Sequence, residues 1–249
     1  MAATTAAVPD APKPISAIGR IIGAIVNPRP TFEDIARKPS WLAPLLLITT
    51  VSIVLTAIMG QRVDWVQVSR AQIEKSHFAS SQIEKLPPDQ QQRAFNRQAT
   101  SAKIGNYVTG VVGTALLTLV LSAIYLGLFT LTGAGLKFRQ AFSLVAYGLL
   151  PLGIKALLGI PIVLMKDPSA INPQNFIASN LGAFLPSDAP LWQITLGTSM
   201  DLFVLWSIVI IAIAFSAANP KKLSFGKAFS VIFGVFVAFT LIFTGLAAL

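Results

Sequence analysis

Long uncharged apolar stretches alternate with polar segments along this chain. The stretch from Trp41 to Met59 contains no charged residue, and at a rise of about 1.5 Å per residue it is long enough for a hydrocarbon core of about 30 Å. Four later stretches have a similar character. The pattern predicts an all-α, polytopic transmembrane helical bundle. Its five spans are predicted at residues 41–59, 107–131, 141–164, 191–218 and 228–249, so that residues 41–249 form the membrane domain.

The residues before the first span divide into two parts. Residues 1–14 are rich in Ala, Thr and Pro, and we expect a disordered tail there. In residues 15–40, apolar positions recur at helical spacing around Arg20, in a segment too short to span. We therefore expect amphipathic helices at the membrane interface, with packing against the bundle's own loops as the alternative. Thr31 and Asp34 predict a capping-box-like start for the second of these helices.

Two longer polar segments interrupt the apolar pattern. Residues 60–106 carry seven Lys or Arg and four Asp or Glu. Their prolines at Pro87 and Pro88 predict two solvated helices in a helical, extracytoplasmic first loop. Residues 166–190 contain four prolines and an apolar piece, residues 176–185, which is too short to cross and is expected to dip into the interface.

Basic residues in the short loops predict the orientation. The turns before the third and fifth spans contain five bases and no acid: Lys137, Arg139, Lys221, Lys222 and Lys227. Because such residues stay on the cytoplasmic side, we expect a cytoplasmic N-terminus and an extracytoplasmic C-terminus. The seven bases of residues 60–106 argue against this assignment.

A short internal repeat marks the starts of two spans. Residues 136–143 and 223–230 match at five of eight positions. The match indicates two parallel hairpins, formed by spans two and three and by spans four and five; chance similarity is the alternative.

Composition and charge narrow the functional classes. The chain is 54% hydrophobic and 12% charged, against about 25% charged for soluble domains. The net charge of +9 does not indicate nucleic-acid binding, because the bases flank apolar spans and do not form one patch. There is no cysteine and a single histidine, and no catalytic or metal-binding constellation is visible. We therefore expect no enzyme activity, no cofactor and no metal.

Two charges inside predicted spans form the candidate site. A charge at a helix centre costs about 2.5–3.5 kcal/mol on insertion scales, so Lys155 in span three and Asp201 in span four need an explanation. They lie at similar depths, and we predict that they pair. Tyr147 and Pro151 share the helical face of Lys155. The functional hypothesis is a polar site for an ion, a proton or a lipid headgroup. The alternatives are a structural ion pair, or a Lys155 that extends to the interface.

Four short motifs resemble those of the Yip family, bacterial branch, over about residues 25–249. They are Asn27-Pro28-x-x-Thr31-Phe32-x-x-Ile35, Trp41-x-x-Pro44-Leu45, Tyr147-x-x-x-Pro151 and Asp201-Leu202-Phe203-x-x-Trp206. The resemblance implies five transmembrane helices and the orientation given above, and it adds Trp206 to the candidate supporting residues. Eukaryotic members act in membrane trafficking without known catalytic chemistry, and a bacterium has no Rab-driven vesicle traffic.

These observations predict a non-enzymatic integral membrane protein of the bacterial cytoplasmic membrane. Its expected role is to scaffold or organise membrane or membrane-protein assembly. The alternative is a transporter or channel for a small solute, ion or lipid, with its polar site between spans three and four. The expected partner is the lipid bilayer, with other membrane proteins or self-association left open, and no nucleic acid.

Overall fold

Helices form nearly all the regular structure in the computed structural model, which describes residues 15–186 and 188–248. They are α1 (Ala17–Val26), α2 (Pro28–Arg37), α3 (Leu42–Arg62), α4 (Trp65–Glu74), α5 (His77–Glu84), α6 (Pro88–Val108), α7 (Thr114–Leu131), α8 (Phe138–Gly148), α9 (Leu150–Met165), α10 (Leu191–Ser199), α11 (Leu202–Ala218) and α12 (Phe225–Leu246). This confirms the predicted all-α polytopic helical bundle. The predicted tail, residues 1–14, lies outside the described residues.

Four helices of the described chain are long and apolar enough to cross a membrane. They are α3, a 44-residue helix formed by α6 and α7, a 28-residue helix formed by α8 and α9, and α12. They contain the predicted first, second, third and fifth spans. α6 and α7 join through the π-helical turn Thr109–Gly113.

The second of these helices begins much earlier than the span predicted within it. It starts at Pro88 and includes the last part of the polar segment. Proline is favoured in a first helical turn, and the sequence contains no further proline before Pro151 to stop the helix. The polar segment therefore holds α4 and α5 followed by an extension of the span, in place of the two separate helices expected.

The predicted fourth span is two helices. α10 ends at Ser199, and the apolar α11, 17 residues long, begins at Leu202. At the break, Asp201 has an extended backbone (φ −99°, ψ 134°), and its side chain accepts hydrogen bonds from the backbone N–H groups of Phe203 and Val204. Asp201 is therefore the N-cap of a helix that starts inside the apolar stretch.

The start of α2 corrects a prediction. The helix begins at Pro28, and Thr31 lies inside it, with its hydroxyl donating to the carbonyl of Asn27 at 2.8 Å. Asp34 makes an ion pair with Arg20. The capping box predicted for Thr31 and Asp34 is therefore absent, because proline at the first helical position already sets the start of the helix.

The largest core cluster joins α2 to the spanning helices. Phe32 and Ile35 of α2 are fully buried in this cluster, and α2 packs against α8 and α11. Phe129 of α7 and Phe215 of α11 lie with ring centroids 4.7 Å apart, and Tyr125 contacts both rings. The short helix α2 is thus part of the bundle.

Two hydrogen bonds bring three connections to the same end of the bundle. The Gln140 side chain donates to the carbonyl of Ala36 at 3.0 Å, and the Asn219 side chain donates to the carbonyl of Ala134 at 2.6 Å. The end of α2, the α7–α8 turn and the α11–α12 turn therefore meet there. We call this the basic end, because its exposed side chains include Arg29, Arg37, Lys38, Lys137, Arg139, Lys221, Lys222 and Lys227.

The internal repeat has a local structural counterpart. α8 begins at Phe138 and α12 at Phe225, which are equivalent repeat positions, and their side chains are 44% and 46% exposed. Ala141 and Ala228, three residues later, are both fully buried. The two copies therefore start a helix and bury it in the same way.

Candidate functional site

An ion pair joins the two charges found within the predicted spans. The ammonium of Lys155 on α9 lies 2.7 Å from Oδ2 of Asp201, at the start of α11. The Asp201 side chain is 2% exposed and that of Lys155 is 18% exposed. The structure thus brings these two predicted site residues into contact.

The Asp201 carboxylate is bonded through both of its oxygens. Oδ2 also accepts from the hydroxyl of Ser179 at 2.5 Å, and Oδ1 accepts from the backbone N–H groups of Phe203 at 2.9 Å and Val204 at 3.3 Å. The positive end of the α11 dipole favours the same negative charge. Asp201 therefore connects α9, α11 and the segment that contains Ser179.

Ser179 belongs to the polar segment after α9, which packs into the break between α10 and α11. The backbone N–H of Leu202 donates to the carbonyl of Ser179 at 2.9 Å, and Asn180 forms an isolated antiparallel bridge with Asp201. The apolar piece of this segment continues into the 3₁₀ turn Leu181–Phe184. From the sequence we expected this piece to dip into the membrane interface. The sequence gave no indication that Ser179 and Asn180 would contact Asp201.

The same segment contacts α10 backbone to backbone at a pair of glycines. A Cβ atom added at Gly197 would lie 2.8 Å from the nitrogen and 2.9 Å from the Cα of Gly182. Side-chain rotation cannot relieve a contact with backbone atoms. Glycine at position 197 therefore allows the turn Leu181–Phe184 to pack on α10.

We expect Gly197→Ala to lower the free energy of unfolding by about 1–3 kcal/mol, as overpacking does. Helix propensity alone would favour alanine by about 1 kcal/mol, so a loss would report the backbone contact. Gly234→Ala in α12 is the matched control, because no atom lies within 4 Å of its added Cβ. Thermal unfolding in detergent would compare the two, and an unchanged Gly197→Ala protein would contradict the close contact.

Lys155 has a second partner in the packed segment. Its ammonium lies 5.5 Å from the centroid of the Phe176 ring, within the range of a cation–π interaction. The Phe176 carbonyl accepts from the ammonium of Lys166 at 3.0 Å, and the Lys166 carbonyl accepts from the guanidinium of Arg62 at 2.9 Å. Cationic side chains thus hold the first part of this segment against α3 and α9.

The three predicted supporting residues lie in the bundle interior. Tyr147 is fully buried in the main core cluster, and Pro151 is buried in the first turn of α9. Trp206 is partly buried on α11, 6.4 Å from the Phe203 ring between centroids. The described residues contain no hydrogen bond between any of the three and the Lys155–Asp201 pair.

A second buried ion pair was missed by sequence reasoning. Arg20 of α1 lies 2.7 Å from Oδ2 of Asp34 in α2, with both side chains at most 7% exposed. The same guanidinium donates to the carbonyl of Lys38 at 2.9 Å and to the hydroxyl of Ser40 at 2.6 Å. The sequence analysis gave Arg20 no partner, whereas in the structure it fixes α1 to α2 and to the α2–α3 connection.

The surface of α1 is apolar on its outer side. Ile18, Ile22 and Val26 are 58–76% exposed, while Arg20 and Ala24 are buried. α1 packs against α2, α3, α8 and α9. The partners of α1 are helices, not the loops of the alternative interpretation, and α1 keeps an apolar face outward.

The Lys155–Asp201 pair is largely buried, with 18% of the Lys155 side chain exposed. Two polar grooves of about 410 and 870 Å³ lie between α4 and α10, and the pair lines neither of them. The arrangement can cap α11, neutralise Lys155 and hold the packed segment.

The chain resembles known proteins over most of its length. A family model of the Yip1 domain matches residues 22–247. "Membrane protein YknW" of Bacillus subtilis is 23% identical over 228 residues, a match that covers 91% of this chain and 90% of that protein. No solved structure matches the chain.

Proposed function

This chain belongs to the Yip1 domain family, which confirms the resemblance seen in its motifs, and we propose that it is a non-enzymatic scaffold of the membrane. In this role it organises membrane or membrane-protein assembly. The observation that carries the proposal is the largely buried Lys155–Asp201 pair, in which the ammonium lies 2.7 Å from a carboxylate that is 2% exposed.

The chemistry of the pair supports a structural role. In transporters, unwound backbone and the ends of interrupted helices coordinate a mobile ion near the bilayer midplane. In this chain the Lys155 ammonium occupies the cationic position beside Asp201, at 2.7 Å. A covalently attached cation cannot be transported, so the break in the fourth span is filled by the protein itself.

The N-terminal helices provide the proposed contact with the membrane. The outward Ile18, Ile22 and Val26 of α1 offer an apolar face, and the exposed bases of the basic end lie close by. In our proposal the basic end faces the cytoplasm, which follows the positive-inside rule. This orientation places the N-terminus inside and the C-terminus outside.

A flux measurement tests the proposal. We expect liposomes that contain the intact protein to pass protons, Na⁺ and K⁺ no faster than liposomes without protein. We also expect Asp201→Asn to leave the flux unchanged, because no pathway leads to the carboxylate. Flux through the intact protein that Asp201→Asn abolishes would contradict the scaffold proposal.

Cysteine labelling measures how accessible the bundle interior is to water. A single introduced cysteine is labelled without background, because the natural chain has no cysteine. Ser207 of α11 is 3% exposed, and we expect Ser207→Cys to resist a membrane-impermeant maleimide applied from either side. Ser101→Cys, at an exposed position of α6, should react within minutes and serves as the control. Comparable labelling of the two variants would indicate a water-filled interior and favour transport.

Transport is the second candidate because of one specific feature. The predicted fourth span is interrupted at Met200 and Asp201, and interrupted spans are common at the substrate sites of transporters. In that case the Lys155–Asp201 pair would separate during the transport cycle. The flux and labelling experiments distinguish this function from the scaffold.

A further inference from the structure

A groove lies between the N-terminal helix and two spanning helices. It has a volume of about 290 Å³, and α1, α3 and α9 contribute its walls. Every lining residue is aliphatic or glycine; Ile22, Leu47 and Leu157 are examples that are 43–58% exposed. The groove is therefore open and has no polar side chain in its lining.

The position of the groove determines what can fill it. Two of its walls belong to helices long and apolar enough to cross the membrane, so the groove opens towards the hydrocarbon of the bilayer. Water would find no polar side chain there with which to form hydrogen bonds. Its volume is at the lower end of the range for small-molecule pockets, about 300–1,000 Å³. One hydrocarbon chain is the occupant that fits this chemistry and size.

Exposed cationic side chains lie near the start of the same groove. Arg20 precedes the lining residue Ile21, and its guanidinium donates to the carbonyl of Lys38 at 2.9 Å. Lys38 and its neighbour Arg37 are exposed. Asp34 is paired with Arg20 at 2.7 Å, and its other oxygen lies 3.9 Å from the guanidinium of Arg37, whose side chain is 59% exposed. Arginine and lysine are the common protein ligands of phosphate.

The depth of the groove matches a lipid with its headgroup at these bases. α3 begins at Leu42, shortly after Lys38, and Leu47 lines the groove. The five residues between Leu42 and Leu47 correspond to about 7–8 Å along the helix. A chain that descends from a headgroup at the level of Lys38 would therefore enter the groove within two helical turns.

We propose that this groove binds one acyl chain of an anionic phospholipid, whose phosphate is bound by Arg37 and Lys38. The site gives α1 a defined lipid partner and so deepens the proposed membrane-organising function, on which it rests. Lipid binding and solute flux are separate measurements. If the protein binds no lipid in this groove, the scaffold proposal still stands. If the protein conducts a solute, the groove can still bind a lipid.

Native mass spectrometry of the detergent-solubilised protein tests the proposal. Phosphatidylglycerol, phosphatidylcholine with the same chains, and glycerol 3-phosphate would each be titrated. We expect one phosphatidylglycerol to bind about tenfold more tightly than phosphatidylcholine, equivalent to about 1.4 kcal/mol, and glycerol 3-phosphate not to bind. Equal binding of the two lipids would overturn the headgroup assignment, and binding of glycerol 3-phosphate alone would indicate a free-phosphate site.

Matched variants separate the groove from the general surface. Leu47→Trp would fill the groove and should weaken both lipids about tenfold, whereas Leu46→Trp, at a 55% exposed position of the same helix outside the groove, should not. The double variant Arg37→Gln/Lys38→Gln should remove the preference for phosphatidylglycerol. Lys221→Gln/Lys222→Gln removes the same charge elsewhere on the basic end and should keep the preference.

Each comparison can contradict the proposal. Equal lipid binding by the two tryptophan variants would exclude the groove as the binding site. An equal loss of the preference for phosphatidylglycerol in the two glutamine variants would show that the preference depends only on the overall charge of the basic end. Matching thermal midpoints of the variants would show that any loss of lipid is not a loss of fold. Should Leu47→Trp prove unstable, Leu157→Trp, on the α9 wall at a 56% exposed position, makes the same test.

Discussion

Asp201→Ala is expected to lower the free energy of unfolding by about 3–5 kcal/mol, the usual cost of removing one partner from a buried ion pair. The substitution leaves the Lys155 ammonium without its 2.7 Å partner in a largely buried position. It also removes the N-cap of α11 and the acceptor of the Ser179 hydroxyl. Unfolding by sodium dodecyl sulfate in mixed micelles would measure the loss.

A double-mutant cycle isolates the ion pair from the cap. Asp201→Asn keeps an oxygen that can accept the N–H groups of Phe203 and Val204, and Lys155→Met removes only the ammonium. Because each single change leaves the other charge unpaired, we expect the double variant to be more stable than the sum of the two losses predicts, with a coupling of about 1–3 kcal/mol. Additive losses would contradict an energetically important pair. Asp188→Asn, at an exposed position of the same polar segment, should change stability by less than about 0.5 kcal/mol.

Arg20→Met is expected to have an effect of similar size, about 3–5 kcal/mol. Methionine preserves much of the side-chain volume but leaves Asp34, which is 5% exposed, with only the more distant guanidinium of Arg37, at 3.9 Å, as a cationic partner. It also removes the hydrogen bonds to the Lys38 carbonyl and the Ser40 hydroxyl. Hydrogen exchange followed by mass spectrometry should show faster exchange in the peptides of α1 and α2 than in α11.

Arg29→Met is the matched control for that change. Arg29 makes an ion pair of 3.7 Å with Glu33, and both side chains are exposed. Exposed pairs contribute about 0–1 kcal/mol, so the exchange of α1 should stay close to that of the natural protein. Equal effects of the two substitutions would mean that burial of the Arg20–Asp34 pair has no energetic consequence.

Hydropathy could predict four of the spans but not the break in the fourth. α3, the α6–α7 helix, the α8–α9 helix and α12 contain apolar runs long enough to cross a membrane. The run from Leu191 to Ala218 is also uncharged apart from Asp201. Its average hydropathy does not show the position of a single helix cap. An aspartate directly before a new apolar run is a known sign of a helix start, and it could have indicated the break.

Only part of the candidate site could be predicted from the sequence. Charges in a bilayer are costly enough that Lys155 and Asp201 could be matched by depth alone. The contacts of Ser179 and Asn180 with Asp201 could not be predicted, because they depend on how a proline-rich segment folds back. Asp34 was assigned to a helix cap, and Arg20 was given no partner. Only the packing of α1 on α2 brings them together.

The continuous helix from Pro88 to Leu131 has a mechanical consequence. Its 44 residues correspond to about 66 Å, roughly twice the hydrocarbon thickness of about 30 Å. About half of this rod therefore stands clear of the bilayer, on the side of α4 and α5. A force applied to its outer part, where α6 packs against α4 and α5, would act as torque on the embedded half. The π-helical turn Thr109–Gly113, where the regular hydrogen-bond ladder changes register, is the place where the rod would bend first.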